Sequence, residues 1–140
     1  MKKLFVDTNV IIDLISRRDP FFGEAAILFS LADKNLIQLS VSSLTIANTN
    51  YILCRQLNSN RVKTILRKLR IIVDVLSVDD KIVELALNDE DFSDFEDGLQ
   101  YFTALENSQD IIVTRNLKDF NNSKLPAMTA RQFIESMSKV

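Results

Sequence analysis

A chain of 140 residues, 46% apolar and 26% charged, can bury a core of its own, and two Gly and two Pro leave little room for long irregular loops. It contains no histidine, which excludes Ser-His and Cys-His nucleophile pairs, imidazole acid–base chemistry and His-ligated zinc or iron. A net charge of -2 gives no global basic footprint, so any contact with nucleic acid has to come from a local patch or a bridging metal. The lone Cys54 forbids an intramolecular disulfide and suits a reducing cytoplasm. The apolar run after Met1-Lys2-Lys3 is broken by Asp7, so it is no signal peptide, and no stretch approaches a membrane span.

In chain order, Leu4 to Val6 reads as a strand that ends in Asp7, Thr8 and Asn9, and Val10, Ile11, Leu14 and Ile15 follow at helical spacing. Arg17 to Pro20 ends that helix. Phe22 to Lys34 is a second amphipathic helix, with Phe22, Ala26, Phe29 and Ala32 on one stripe and Leu28 and Leu31 beside it. Ile37, Leu39 and Val41 alternate with Gln38, Ser40 and Ser42 as a half-buried strand. Ser42-Ser43 can cap a helix from Leu44 to Leu57, with Leu44, Ala47, Tyr51 and Ile52 along one side and Asn48 among them. Arg61 to Arg70 is helical with Val62, Ile65, Leu66 and Leu69 inward, and the branched run Ile71 to Val78 predicts a strand. Asp79 caps a helix to about Leu87. The acidic segment Asn88 to Asp97 then leads into a helix whose core stripe is Phe95, Leu99, Phe102 and Leu105. Asp110 to Thr114 is a buried strand, Arg115 to Phe120 a loop, Ala127 to Thr129 a short strand, and Thr129 caps a closing helix that carries Phe133, Ile134 and Met137. Strands alternating with helices predict one α/β domain over residues 1–140, a parallel sheet with helices on both faces.

Oxygen ligands gather in three places: Asp7, the pair Asp94 and Asp97, and Asn116 with Asp119. Each has a local reading, as a cap, a charge in a first helical turn, or a turn residue. Asp7 and Asn116, however, both follow strands, and a parallel sheet puts strand carboxyl ends on one edge, where ligands bind. Carboxylates converging there repel one another unless a cation neutralises them, and with histidine absent the donors are hard oxygens that select Mg²⁺ or Mn²⁺. Arg61, Lys63, Arg67, Lys68 and Arg70 read as a solvated helix face, and Arg115 as the better phosphate contact.

Four stretches together resemble the PIN-domain family of metal-dependent ribonucleases and VapC-type toxins. They are Leu4-Phe5-Val6-Asp7-Thr8-Asn9-Val10-Ile11-Ile12-Asp13, Ser42 to Asn48, Asp94 to Gln100, and Ile112-Val113-Thr114-Arg115-Asn116-Leu117-Lys118-Asp119-Phe120. The resemblance implies a three-layer α/β/α fold with a mainly parallel sheet of about five strands. It makes Asp7 the first metal ligand, puts Asp97 on the third-acid position with Asp94 beside it, and puts Asn116 on the fourth, with Asp119 close behind. Where the family usually has a glutamate on the helix after the second strand, this chain has Asn48, a neutral oxygen donor in place of a charged one. Thr114 would orient groups near the site, and Thr8, Asn9 and Arg115 are the further candidates for substrate contact. The implied activity is Mg²⁺- or Mn²⁺-dependent RNA hydrolysis, with a small antitoxin and a second copy of the chain as partners. The two asparagines motivate an alternative, a catalytically weakened module that binds RNA or protein.

Overall fold

Leu4, Phe5 and Val6 have no exposed surface at all. Successive strand residues point to opposite faces, so three buried in a row mark a strand covered on both sides. In the computed structural model, which describes residues 1–138, this strand is β1 (Lys3–Val6), and it lies in the middle of a sheet with β2 (Gln38–Ser42), β3 (Val73–Leu76), β4 (Ile111–Val113) and β5 (Ala127–Met128). The order is β3-β2-β1-β4-β5 and every pairing is parallel, with Phe5 opposite Ser40 on one side and Ile112 on the other. The helices are α1 (Thr8–Ile15), α2 (Phe22–Asp33), α3 (Ser43–Leu53), α4 (Ser59–Ile72), α5 (Asp80–Asn88), α6 (Phe95–Glu106) and α7 (Ala130–Met137). Leu4, Val6, Leu39 and Val41 pack on one face against α1, α2, α4 and α7, through residues such as Ile11, Leu28, Leu66 and Phe133. Phe5 and Ile112 point to the other face and meet Tyr101 and Ala104 of α6. The three-layer α/β/α expectation therefore holds, with a sheet of five strands that is entirely parallel.

Local boundaries differ from the sequence reading where tertiary packing overrides it. The segment from Ile71 does not start a strand: α4 runs on to Ile72, Ile71 is 83% exposed, and Val73 closes the helix by donating to the Leu69 carbonyl. The inward face of α2 is Ala25, Leu28, Phe29 and Ala32, so Phe22 and Ala26 are only half-buried. Ser40 and Ser42 are buried alongside Leu39 and Val41, because helices cover both faces of β2. Phe95 is exposed, since Asp94 is the N-cap of α6 and the core begins at Gly98 and Leu99. Phe92 supplies the missing aromatic instead, stacking on Tyr101 with ring centroids 4.7 Å apart.

The chain steps from β1 out to β3 and then returns across the sheet to β4. That reversal makes the carboxyl ends of β1 and β4 a topological switch point, where the flanking connections diverge and leave a crevice.

Candidate active site

Asp7 and Thr114 are the first residues beyond β1 and β4, and parallel pairing brings them together. The Asp7 amide donates to the Val113 carbonyl at 2.9 Å. The Thr114 hydroxyl donates to Asp7 Oδ2 at 2.8 Å, and the Thr8 amide donates to Oδ1 at 2.8 Å. Thr114 Oγ1 in turn accepts from the Asn116 amide at 3.0 Å, which ties the loop after β4 to the same carboxylate. Burial raises the Asp7 carboxyl above its ordinary range, and the bonds from Thr114, Thr8 and Gln100 oppose that rise. Asp7 is thus held in one orientation at the N-terminus of α1, whose free amides favour negative charge there.

Beneath it lies a polar network that the sequence reading did not single out. Gln100 of α6 donates to Thr45 Oγ1 at 2.8 Å and accepts from the buried Ser42 hydroxyl, while Thr45 and Thr8 hydroxyls meet at 2.8 Å. Ser42, Thr45 and Gln100 are all nearly fully buried. Ser42 also accepts from the Thr45 amide as the N-cap of α3. These bonds join α1, α3 and α6 directly under Asp7, and each buried polar atom in the set has a partner. A glutamine in the middle of an amphipathic helix, on the side that also holds buried Tyr101 and Ala104, was the available sign.

Asp7 opens into a cleft of about 510 Å³ whose lining includes Thr8, Asn9, Asn48, Glu96, Asp97 and Asn116. Three helices and the loop after β4 therefore bring Asp7, Asp97, Asn48 and Asn116 to one cavity. Asp97, in the first turn of α6, is pushed up to about 7, first by burial and then by the charges of Asp94, Asp119, Asp7 and Glu96. Asp94 and Asp119 do not line this cleft. They lie with Asp97 around a smaller depression beside it, and the Asp94 carboxylate caps α6 by accepting from the Asp97 amide at 3.2 Å. The side of α3 formed by Leu44, Tyr51 and Ile52 lines the same cleft, whereas the buried stripe of that helix is Thr45, Thr49 and Leu53. The side of α3 that carries Leu44, Asn48, Tyr51 and Ile52 is thus a wall of the site.

Arg115 does not line the cleft. Its guanidinium makes a two-point contact with Asp13, Nε to Oδ2 at 2.7 Å and Nη2 to Oδ1 at 3.1 Å, and its Cζ lies 4.1 Å from the centre of the Phe21 ring. Asp13 is 1% exposed, the one acid in α1, and the pair fastens the loop after β4 to that helix. Arg115, the expected phosphate contact, thus stands beside the cleft as the partner that a buried carboxylate needs. The cations that do line the cleft are Arg18, from the α1–α2 turn, and Arg55, just beyond α3.

Among the described residues, no three acidic or sulfur-bearing side chains stand close enough to cage a metal by themselves. The donor set still suits a hard cation. Mg²⁺ commonly takes one or two carboxylates and keeps several waters, and here Asp7 and Asp97 share the cleft with Glu96 and with the amide side chains of Asn9, Asn48, Gln100 and Asn116. The side-chain oxygen of Asn9, on the same lining, is buried without a hydrogen-bond partner. The rise at Asp97, caused in part by neighbouring carboxylates, is the repulsion that a bound cation relieves.

Residues 3–118 match the family described as the PIN domain. The chain is 31% identical over 139 residues to ribonuclease VapC1 of Aquifex aeolicus, across 96% of this chain and 94% of that protein. Among solved structures, a toxin–antitoxin complex from Klebsiella pneumoniae superposes with a TM-score of 0.68 at 22% identity, covering 91% of this chain and 97% of that one. The sarcin-ricin loop cleaving toxin VapC20 of Mycobacterium tuberculosis superposes with a TM-score of 0.61 at 20% identity, over 78% and 86% of the two chains. At those identities the structural likeness speaks for the fold, while the family match and the VapC1 relative span most of the sequence. Ribonucleases of this family generally depend on a divalent metal. The chain belongs to the PIN-domain family, among its VapC-like members.

Proposed function

We propose that residues 1–140 form one catalytic unit, a divalent-metal-dependent endoribonuclease of the VapC toxin type. The observation that carries this is the meeting of Asp7 and Asp97 with Asn48 and Asn116 in one cleft, at the switch point of a PIN-domain sheet. Asp7 and Asp97 would hold the cation, with Asn48 and Asn116 as neutral oxygen donors, and Asp94 and Asp119 would add negative field from the adjoining depression. Mg²⁺ or Mn²⁺, when bound, supplies the charge that acidifies water and offsets the negative charge on a phosphodiester undergoing attack. Thr114 and the Thr8 amide keep both Asp7 oxygens fixed, so binding does not cost a reorientation of that carboxylate. Asp97, pushed up to about 7 by burial and by the neighbouring carboxylates, would give up its proton to hold a cation. Thr8 and Asn9, on the cleft lining, are the substrate contacts nearest Asp7.

The partners that go with this reading are RNA, a small antitoxin protein, and a second copy of the chain. The antitoxin is supported by the Klebsiella pneumoniae structure, which is a toxin–antitoxin complex. No helix among the described residues is long and apolar enough to cross a membrane, and Cys54 is a free thiol, which favours the cytoplasm. The test is cleavage of RNA with Mn²⁺ or Mg²⁺ against chelator, with Asp7→Asn beside the native chain; equal cleavage by both removes the proposal. The alternative of a weakened module that binds without cutting draws on Asn48 and on the lack of a three-acid cluster among the described residues. Calorimetry separates the two, since retained RNA binding with no uptake of divalent ion at millimolar concentration favours the module.

A further inference from the structure

The acids occupy only part of the cleft. The rest of its wall comes from α3, where Tyr51 is 65% exposed, and from Arg55, whose Cζ lies 4.8 Å from the Tyr51 ring centre. Arg18 lines the same cavity. Neither Arg18 nor Arg55 has a carboxylate within ion-pairing distance among the described residues, although the chain carries more acids than bases, 19 against 17. Two unneutralised guanidinium groups and an open aromatic face therefore border a pocket that otherwise repels anions. Tyr51 and Arg55 are four apart on one helix, and a surface pair of that kind can be merely local. Their place on the cleft lining beside Asp7 and Asp97 is what gives them a ligand.

We propose that Tyr51 and Arg55, with Arg18, hold an unpaired nucleotide of the RNA beside the phosphodiester to be cut. This rests on the ribonuclease reading and adds to it the residues that select the substrate. The Tyr51 ring takes one base by stacking, which any base allows but only when it is free of its own helix, so the wall favours single strands and loops over duplex. The two guanidinium groups take the flanking phosphates with planar, permanently charged donors.

The chain has no tryptophan and two tyrosines, and Tyr101 is buried, so a ligand-dependent change in tyrosine emission that is lost in Tyr51→Phe reports on Tyr51. The experiment titrates the full chain, in chelator and at low salt, with a ten-nucleotide oligoadenylate and with a duplex of the same length. Emission should fall saturably with the single strand and little with the duplex. Tyr51→Ala and Arg55→Ala should each weaken binding, read by anisotropy of a labelled oligonucleotide, by about tenfold, whereas Tyr51→Phe should keep the affinity and lose the emission change. Equal affinity of the native chain, Tyr51→Ala and Arg55→Ala overturns the proposal and leaves the wall to a protein partner, as does absence of quenching. Cleavage of the same oligonucleotide by the native chain with Mn²⁺ is scored separately. Binding with quenching but no cleavage of this oligonucleotide leaves the stacking wall standing, and the ribonuclease reading stands or falls on the separate comparison of the native chain with Asp7→Asn.

Discussion

Replacing Arg115 by Met tests whether that side chain is a strut or a substrate contact. The Asp13 side chain is 2% exposed, and both of its oxygens are held by the guanidinium, at 2.7 and 3.1 Å. Removing one partner of such a pair strands the other charge, at a cost of about 3–5 kcal/mol. The Arg115 side chain is 28% exposed, so water can partly reach the gap, which places the loss near the lower end, about 3 kcal/mol. The contact with the Phe21 ring adds about 0.5–1 kcal/mol, and a methionine stem keeps part of the packing. For a chain of this length the total corresponds to a Tm lowered by roughly 10 °C. Thermal and urea unfolding give the value, and an unchanged m-value keeps the comparison two-state. The double variant Asp13→Leu, Arg115→Met should recover much of the loss, because no buried charge is left behind. A loss under about 1 kcal/mol, together with a several-fold rise in KM for RNA, would refute the strut and return Arg115 to the substrate.

Thr114→Val removes the hydroxyl that bridges Asp7 and the Asn116 amide. Mn²⁺ affinity measured by calorimetry should fall by about tenfold or more, and an unchanged affinity would remove Thr114 from the site. Asp7→Asn should abolish RNA cleavage while leaving Tm equal or higher, since it takes away a carboxylate that burial disfavours; a large drop in Tm would make Asp7 a structural residue instead. The metal-free protein should be more stable at pH 5 than at pH 8. Asp97 is raised from 3.8 to about 7, so the folded chain binds that proton more tightly than the unfolded one. The stability so gained is full below about 3.8 and lost as pH rises through about 7. Urea midpoints in chelator check this, and Asp97→Asn should flatten the dependence.

The fold was legible because the strands announce themselves. Leu4 to Val6 and Ile111 to Val113 are continuous apolar runs, as strands covered on both faces must be, and each is followed at once by a polar residue of the site. Asp7, Asp97, Asn48 and Asn116 could be listed from the order of motifs along the chain. That they share one cleft, while Asp94 and Asp119 border its neighbour, depends on how α6 starts, and Asp94 turned out to be spent on capping it. The polar floor was hidden for a different reason. Ser42, Thr45 and Gln100 lie 58 residues apart at their extremes, and only the meeting of α3 and α6 at the carboxyl edge of the sheet makes them partners. Periodicity shows one apolar side of α3, but the buried stripe of that helix is Thr45, Thr49 and Leu53, two of them polar, so pattern alone does not say that the apolar side borders a cavity. The tie between Arg115 and Asp13 was hidden for want of a sequence signal. A lone acid inside the apolar run of α1 needs a cation, and the sequence alone does not say which of 17 basic residues supplies it.

Asn48 is the point at which the chemistry can be changed in a chosen direction. It lines the cleft with Asp7 and Asp97, and the family resemblance puts a glutamate there. Asn48→Glu adds one negative charge to a cavity in which carboxylates already raise one another. Without metal the variant should therefore melt below the native chain, and its Asp97 carboxyl should move further up. With metal the sign reverses. A charge about 5 Å from a divalent ion gains several kcal/mol at an effective dielectric near 20, of which about 1–3 kcal/mol should survive desolvation and side-chain ordering. That is about ten- to hundredfold in affinity. Calorimetry with Mn²⁺ measures it directly, and thermal unfolding with and without metal should show a larger metal-dependent rise in Tm than the native chain gives. Tighter metal binding with unchanged or faster RNA cleavage would mean that the asparagine only tunes the working metal concentration. Tighter binding with slower cleavage would mean that the neutral donor is needed to keep a coordination position open for water or phosphate. Unchanged affinity would mean that Asn48 does not face the cation, and the assignment of this cleft as the metal site would fall with it.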